Sequence, residues 1–425
     1  MANLLARILA LLISAALTVA LVEALLHVYP PLIPLPVFYQ LPGGGRYLQA
    51  LVFDQPVELG FRYKPEQDAT FTFGPDDPTI LQNQADDIAL RDNPTVYRLR
   101  LQTDENGFIN PSPTRETYRI VMTGDSFMGL SAEEHWVDWI MSGTSTRVLN
   151  LGMPGWGPQA EAAALRLYAV PKQPAEMILA YFEGNDLWDA AQYEARRASG
   201  LSWVAYDLKD TSFVDRLVLP TLVPWAIHQA QRRWSDDPGR AYRYPRNVDV
   251  AGRPLALVFA DLYVMRLTTP RADIEGSRNL AWTADALRMA RDAAAEAGAR
   301  LTVVYIPSEE HVYLPLIEGT PDVEAILPGL FTVRVGPDGL LGTSATPVDA
   351  ATLYAHLDDQ RQAMLALLER EGIPVVDLTP PFMARAAEGE ALYNYADTHW
   401  NAAGHKLAAQ VVSDYLNAAP AATSP

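Results

Sequence analysis

Five short apolar runs constrain this chain more than any other feature. They are residues 119–124 (RIVMTG), 147–152 (RVLNLG), 177–184 (MILAYFEG), 300–307 (RLTVVYIP) and 373–379 (IPVVDLT). Each is rich in Val, Ile, Leu or Tyr. Near-continuous apolar runs of this length are what a parallel sheet covered on both faces requires. Helical patterns separate them. Residues 160–170 (AEAAALRLYAV) follow the second run. Residues 280–299 (LAWTADALRMARDAAAEAGA) precede the fourth, with Gly298 as the C-terminal cap. Residues 349–372 (DAATLYAHLDDQRQAMLALLEREG) read as one helix ending at Gly372, and 402–416 (AAGHKLAAQVVSDYL) as a last helix capped by Asn401. Alternation of β and α at this spacing predicts a three-layer α/β/α sandwich around a doubly wound sheet.

The N-terminus reads differently. Residues 8–28 form a largely apolar stretch behind Arg7, and about 20 residues suffice to span a bilayer. Glu23 and His27 fall toward its far end, where polar side chains reach the interface more cheaply than at the midplane. The lone Arg7 places the N-terminus in the cytoplasm and the rest outside. A cleaved signal peptide is the competing reading, with Val22-Glu23-Ala24 as a weak processing site. The anchor is preferred because the apolar run continues past that site. Either way the chain is expected outside the cytoplasm.

We therefore divide the 425 residues into a transmembrane signal-anchor or signal peptide (1–29) and an irregular extension (30–116). A catalytic-type domain (117–417) and a disordered tail (418–425) follow. Within 96–110 (VYRLRLQTDENGFIN) we expect a strand, a turn at 104–107 and a returning strand. Two insertions, 188–278 and 311–348, read either as lids and binding loops or as added structure. A net charge of −18 is a poor electrostatic match for nucleic acid, so none is expected as a partner. The absence of cysteine excludes disulfides, thiolate catalysis and Cys-based metal sites.

Ligands of open α/β sheets bind beyond the carboxyl ends of the strands. After the first run stands Gly124-Asp125-Ser126-Phe127, and after the second Asn150-Leu151-Gly152-Met153-Pro154-Gly155. Gly184-Asn185-Asp186 ends the third, and Asp397-Thr398-His399-Trp400 follows the fifth. Together these supply what acyl transfer needs. Ser126 is a candidate nucleophile, and it must lose its proton to a base. His399 can be that base, and Asp397 can orient the imidazole and stabilise the imidazolium. The backbone N–H groups of Ser126 and Gly155 and the Asn185 amide are candidate donors to the oxyanion. Ser126 alone could equally be a helix cap.

These four blocks, in this order, resemble the SGNH (GDSL-type) hydrolase superfamily over roughly residues 117–417. The resemblance implies a flavodoxin-like five-stranded parallel sheet of order 2-1-3-4-5, a serine nucleophile, and oxyanion donors from the Ser, Gly and Asn blocks. The Asp397-Thr398-His399 spacing is similar to that of SGNH-like proteins that O-acetylate alginate and other exported polysaccharides. In the alginate proteins that pair precedes the serine block; here it follows it.

Three functions remain open on sequence. The first is a membrane-anchored extracytoplasmic serine esterase acting on O-acyl groups of envelope glycans or lipids. The second is an O-acyltransferase that uses the same acyl-enzyme with a sugar acceptor and a membrane partner that exports the acyl group. The third is a non-catalytic glycan-binding or assembly protein. Neither a metal nor an organic cofactor is required. His405 is read as structural, because its spacing from His399 fits no common ligand motif. Glu309, Glu310 and His311 are expected in a solvated loop. Trp156, Trp188 and Trp400 flank the blocks and could stack on sugars or fill the core.

Overall fold

The computed structural model describes residues 2–28, 32–33, 37, 41, 53–54, 59–73, 97–129, 135–234, 248–255, 257, 259–394 and 399–418. Its centre is a five-stranded parallel sheet. We label the strands β1 (Ile120–Gly124), β2 (Val148–Asn150), β3 (Glu176–Phe182), β4 (Arg300–Ile306) and β5 (Val375–Asp377). Their order across the sheet is β5-β4-β3-β1-β2, the expected 2-1-3-4-5 read from the other edge.

All residues of β1, β2 and β3 are buried, which is why these strands read as continuous apolar runs rather than alternating ones. The alternation is still present, but between two cores. Ile120, Met122, Ile178, Ala180, Phe182, Val304 and Ile306 face one. Val121, Met177, Leu179, Tyr181, Leu301, Val303 and Tyr305 face the other.

The helices used below are α1 (Ala2–Val28), α2 (Ser126–Gly129), α3 (Trp136–Thr144), α4 (Pro158–Ala164), α5 (Asp186–Ser199), α6 (Leu219–Trp234), α7 (Arg278–Ala297), α8 (Asp359–Glu371) and α9 (Ala402–Ala418). α3 and α9 cover the first face through Trp136, Val137, Ile140, Val412 and Leu416. α4, α7 and α8 cover the second through Ala160, Leu287, Met364 and Leu367. The caps are those expected. Asn401 Oδ1 accepts from the amides of Ala403 and Gly404 at 2.9 and 3.1 Å, and α7 ends on Gly298 at φ +68°.

Two expectations are corrected. The segment 349–372 is not one helix but two, Ala350–His356 and α8. Asp358 stands at the break, its carboxylate drawn to Arg361 and His311, and Asp359 holds His356 at 2.7 Å. Among the described residues the strand Tyr97–Gln102 has no returning partner downstream; it pairs antiparallel with Asp68–Phe73 upstream. The turn does form, with the Gly107 amide on the Asp104 carbonyl at 3.0 Å. Beyond it, buried Asp104 takes the amides of Asn106 and Phe108 and the Asn110 side chain. A side chain there does the work of a strand ladder.

The apolar stretch is a single 27-residue helix, α1. Residues Ala6–Val28 have mean hydropathy 2.5 and bury nothing within the protein over their most apolar window, a length and composition sufficient to cross a membrane. Near its end Leu26 packs with Ile33, Val37, Leu41 and Val218. The Glu23 carboxylate accepts the backbone amides of Val218 and Leu219 at 2.5 and 3.0 Å. It thereby caps α6 across the fold, from a residue outside that helix's own segment.

Candidate active site

Gly124 ends β1, and the chain turns at once into α2, a single helical turn that starts with Ser126. Asp125 builds the turn. Its Oδ1 accepts the Phe127 amide at 2.9 Å, and its carbonyl accepts the amides of Met128 and Gly129. The Phe127 carbonyl is held from the other side by Trp136 Nε1 at 2.9 Å and His135 Nε2 at 3.0 Å. His135 Nδ1 accepts the Val137 amide, so the proton of this imidazole sits on Nε2. Burial holds its pKa down at about 4, and the ring stays neutral.

The second loop packs directly on this turn. Asn150 Nδ2 donates to the Met128 carbonyl at 2.8 Å, and the Met153 amide donates to the Gly124 carbonyl at 2.9 Å. The approach is so close that a Cβ on Gly152 would stand 2.0 Å from Met128 Cβ. Gly152→Ala is therefore expected to destabilise the protein by about 1–3 kcal/mol through overpacking, read as a lowered Tm. Gly155 follows at φ +76°, a conformation other residues resist. Its N–H makes no hydrogen bond among the described residues.

Asn185 stands at the start of α5, just past the end of β3. Its Nδ2 donates to Asp189 at 2.9 Å, one turn on. Asp186 closes the turn by accepting the Phe182 amide at 2.7 Å. The loop is tied down behind by Glu183. That buried carboxylate accepts from Tyr305 Oη (2.6 Å), the Ser308 amide (3.0 Å), Ser308 Oγ (3.1 Å) and His311 Nδ1 (2.7 Å).

His399 arrives from the far end of the chain, 273 residues after Ser126, and places Nε2 2.6 Å from Ser126 Oγ. It is held by its backbone and its neighbour. Its carbonyl takes the Asn394 amide at 2.8 Å, and Tyr393 and Trp400 form an antiparallel bridge. Trp400, 1% exposed, packs against Phe127, Trp136 and Phe382. Ser126 and His399 thus stand beside the same aromatic cluster. Asp397 lies outside the described residues.

Residues 339–425 match the family model described as ALGX, the SGNH hydrolase-like domain of the acetyltransferase AlgX. That segment contains Asp397, His399 and Trp400 but not Ser126. Over those residues the chain is similar to an SGNH hydrolase-like domain. Solved structures with similarity to it include a GDSL-like lipase from Bacteroides thetaiotaomicron (10% identity, 72% of this chain, 92% of that one, TM-score 0.32). An acetylxylan esterase mutant from Geobacillus stearothermophilus (11%, 73%, 97%, TM-score 0.31) is another. A third is a lipase/acylhydrolase from Enterococcus faecalis (11%, 70%, 95%, TM-score 0.30). No curated protein matches the chain.

Around these blocks the structure adds Glu161 and Asp189, which sequence reasoning passed over. Asp125, Glu161 and Asp186 are all fully buried. Burial pushes Asp125 up, against the Phe127 amide, His399 and the Asn185 side chain, which favour its charge. Burial, aided by the neighbouring acids, pushes Glu161 and Asp186 well above the usual carboxylate range. Glu161 gave a legible signal as a lone acid in the Ala-rich run 160–164. Asp189 gave its signal as an acid one helical turn after Asn185.

Glu309, Glu310 and His311 are not a solvated loop; all three are buried. The cause is Glu183, which lies beneath them and needs a cationic partner. His405 is buried, its ring against Trp400 at 5.6 Å, and burial holds it neutral with a pKa near 2. Trp156 and Trp400 are core residues at 1% exposure, and Trp188 carries the Arg266 guanidinium at 4.3 Å.

Proposed function

We propose that this protein is an extracytoplasmic serine esterase working through an acyl-enzyme, on O-acyl groups of envelope glycans or lipids. The SGNH hydrolase-like fold supports the broader class, esterase or acyltransferase. The observation that carries the reading is the 2.6 Å contact between Ser126 Oγ and His399 Nε2. In that geometry Ser126 donates its proton to the imidazole as its oxygen attacks the ester carbonyl. The Ser126 and Gly155 amides and the Asn185 side-chain amide then donate to the oxyanion. His399 returns the proton to the leaving alcohol, and water repeats the cycle on the acyl-enzyme. Asp397 is assigned to orient His399, as the SGNH resemblance implies. A cavity of about 220 Å³ beside Gly155, lined also by Asp189, Gln192, Tyr193 and Trp203, is a candidate subsite for the polar part of the substrate.

A second reading, O-acyl transfer to a sugar hydroxyl, is favoured by the match of residues 339–425 to the AlgX model. Both readings keep α1 as a retained anchor beside an acyl-exporting membrane partner or an acylated substrate. Retention is supported by Glu23, since cleavage after Ala24 would remove the cap of α6.

The test uses the full chain in nanodiscs with p-nitrophenyl acetate, with and without an oligosaccharide acceptor, and mass spectrometry of products. Free acetate released regardless of acceptor means an esterase. Acetylated sugar formed at the expense of acetate means a transferase. Neither product above the Ser126→Ala background would move the assignment to glycan binding. Asn185→Ala is expected to lower kcat roughly a hundred- to a thousandfold with KM little changed, the signature of a lost oxyanion donor.

A further inference from the structure

The first nine residues of α6, 219–227, read LPTLVPWAI, with Thr221 the sole polar side chain. One side of this helix packs inward: Leu219, Leu222 and Trp225 lie with Val218 and Leu26 of α1. The other side is Pro220, Val223, Pro224 and Ile227, all exposed, at the i, i+3, i+4, i+7 spacing of a single stripe. Val223 is 48% and Ile227 52% exposed, and just upstream Phe213 and Val214 are 77% and 64% exposed. A helix apolar all round belongs in a core or in lipid. Here the outward side has no protein cover among the described residues.

The place of the stripe names its occupant. The two hydrogen bonds from the start of α6 fix that helix at the level of Glu23, five residues before α1 ends at Val28. At about 1.5 Å per residue this is roughly 8 Å inside the end of the apolar helix. The headgroup layer on each side of a bilayer is about 5–8 Å deep. We propose that Phe213, Val214 and the 220–227 stripe of α6 seat in the outer headgroup layer of the membrane that α1 spans. The inference rests on α1 being a retained anchor. It also accounts for a carboxylate in the last turns of an apolar helix: Glu23 is satisfied by two amides, the N-terminus of α6 and His27 at 3.0 Å. The catalytic domain is then held against the bilayer at two points, with one orientation toward it rather than free rotation about a tether.

The absence of cysteine makes the test direct. Single-cysteine variants of the full chain, Phe213→Cys, Val223→Cys and Ile227→Cys, are labelled with an environment-sensitive fluorophore and placed in nanodiscs containing lipids with shallow nitroxides. Asp285→Cys on α7 is the aqueous reference and Leu12→Cys on α1 the membrane reference. About twofold or stronger lipid quenching at 213, 223 and 227 relative to 285 is expected for an interfacial element. Quenching at Leu12 but not at these sites would overturn the inference and leave the anchor standing. Labels shielded from an aqueous quencher yet untouched by nitroxide lipids would show a protein occupant and also overturn it. No quenching at Leu12 would remove the anchor reading, and this inference with it.

Discussion

Ser126→Ala is expected to reduce turnover of an acyl ester by roughly 10⁴- to 10⁶-fold, leaving only what oxyanion donors and binding supply. That is about 5–8 kcal/mol of transition-state stabilisation. The reason is geometric. Ser126 Oγ has His399 Nε2 at 2.6 Å and only a distant second polar neighbour, Asp125 Oδ2 at 3.4 Å. Groups that act as one unit are non-additive, so His399→Ala should cost a similar factor and the double variant little more. Folding should survive, because Ser126 is half-buried and the turn is held by Asp125, His135 and Trp136 rather than by Oγ. Intact-mass measurement after rapid mixing should show an acetyl adduct on the wild type and none on Ser126→Ala. A variant that retains a tenth of wild-type turnover with unchanged Tm would sink the nucleophile assignment.

The second large effect lies on stability and concerns His311. Burial alone would lower its pKa, but Glu183 at 2.7 Å and Asp358 at 3.4 Å outweigh it and raise the value to about 9. The imidazolium is thus stabilised in the folded state relative to an unfolded value near 6.5. Its contribution is fully present below about pH 6.5 and is lost as pH rises through about 9. A shift of this size corresponds to about 3 kcal/mol, and truncating one member of a buried ion pair costs about 3–5 kcal/mol. Glu310 titrates in the same structure. Its pKa is pushed up by burial to about 8, so the folded state keeps a proton that the unfolded state loses, and stability also falls from about pH 4.5 to 8. The wild-type profile therefore sums both groups. The difference between wild type and His311→Gln isolates one. We expect His311→Gln to lower Tm most at pH 6 and the two curves to converge above pH 9.5. A Tm difference independent of pH would mean that His311 is neutral in the fold. The same clamp ends at Gly184-Asn185, so His311→Gln should also slow catalysis more at pH 6 than at pH 9.

The main architecture was legible because its signals are local. A strand buried on both faces must be apolar throughout, so five such runs in β/α alternation specify the sheet and its layers. The end of each strand is equally local, which is why Ser126, Gly155 and Asn185 could be named from Gly-Asp-Ser, Gly-x-x-Gly and Gly-Asn-Asp. His399 needed the pattern of four blocks, since nothing within its own segment says that it returns to Ser126.

What stayed hidden depends on partners distant in sequence. The hairpin at Tyr97–Gln102 found an upstream strand because Asp104 consumed the amides that a downstream strand would have offered. The helix expected over 349–372 broke because Asp358 is wanted by Arg361 and by His311, which is 47 residues away by the numbering. Glu309, Glu310 and His311 looked like a solvated loop and are buried because Glu183, just past the end of β3, requires the histidine.

By itself the sequence determined the α/β class, the apolar N-terminal helix and the candidate nucleophile, base and oxyanion donors, and the strand order was expected only from the family resemblance. Periodicity and turn chemistry act over a few residues and survive without tertiary contact. The tertiary structure alone decided which hydroxyl meets His399, which acids keep their protons, which histidine is charged, and that Glu23 caps α6. Those outcomes are set by burial and by charge-to-charge distances of a few ångströms, quantities that exist only once distant segments have packed.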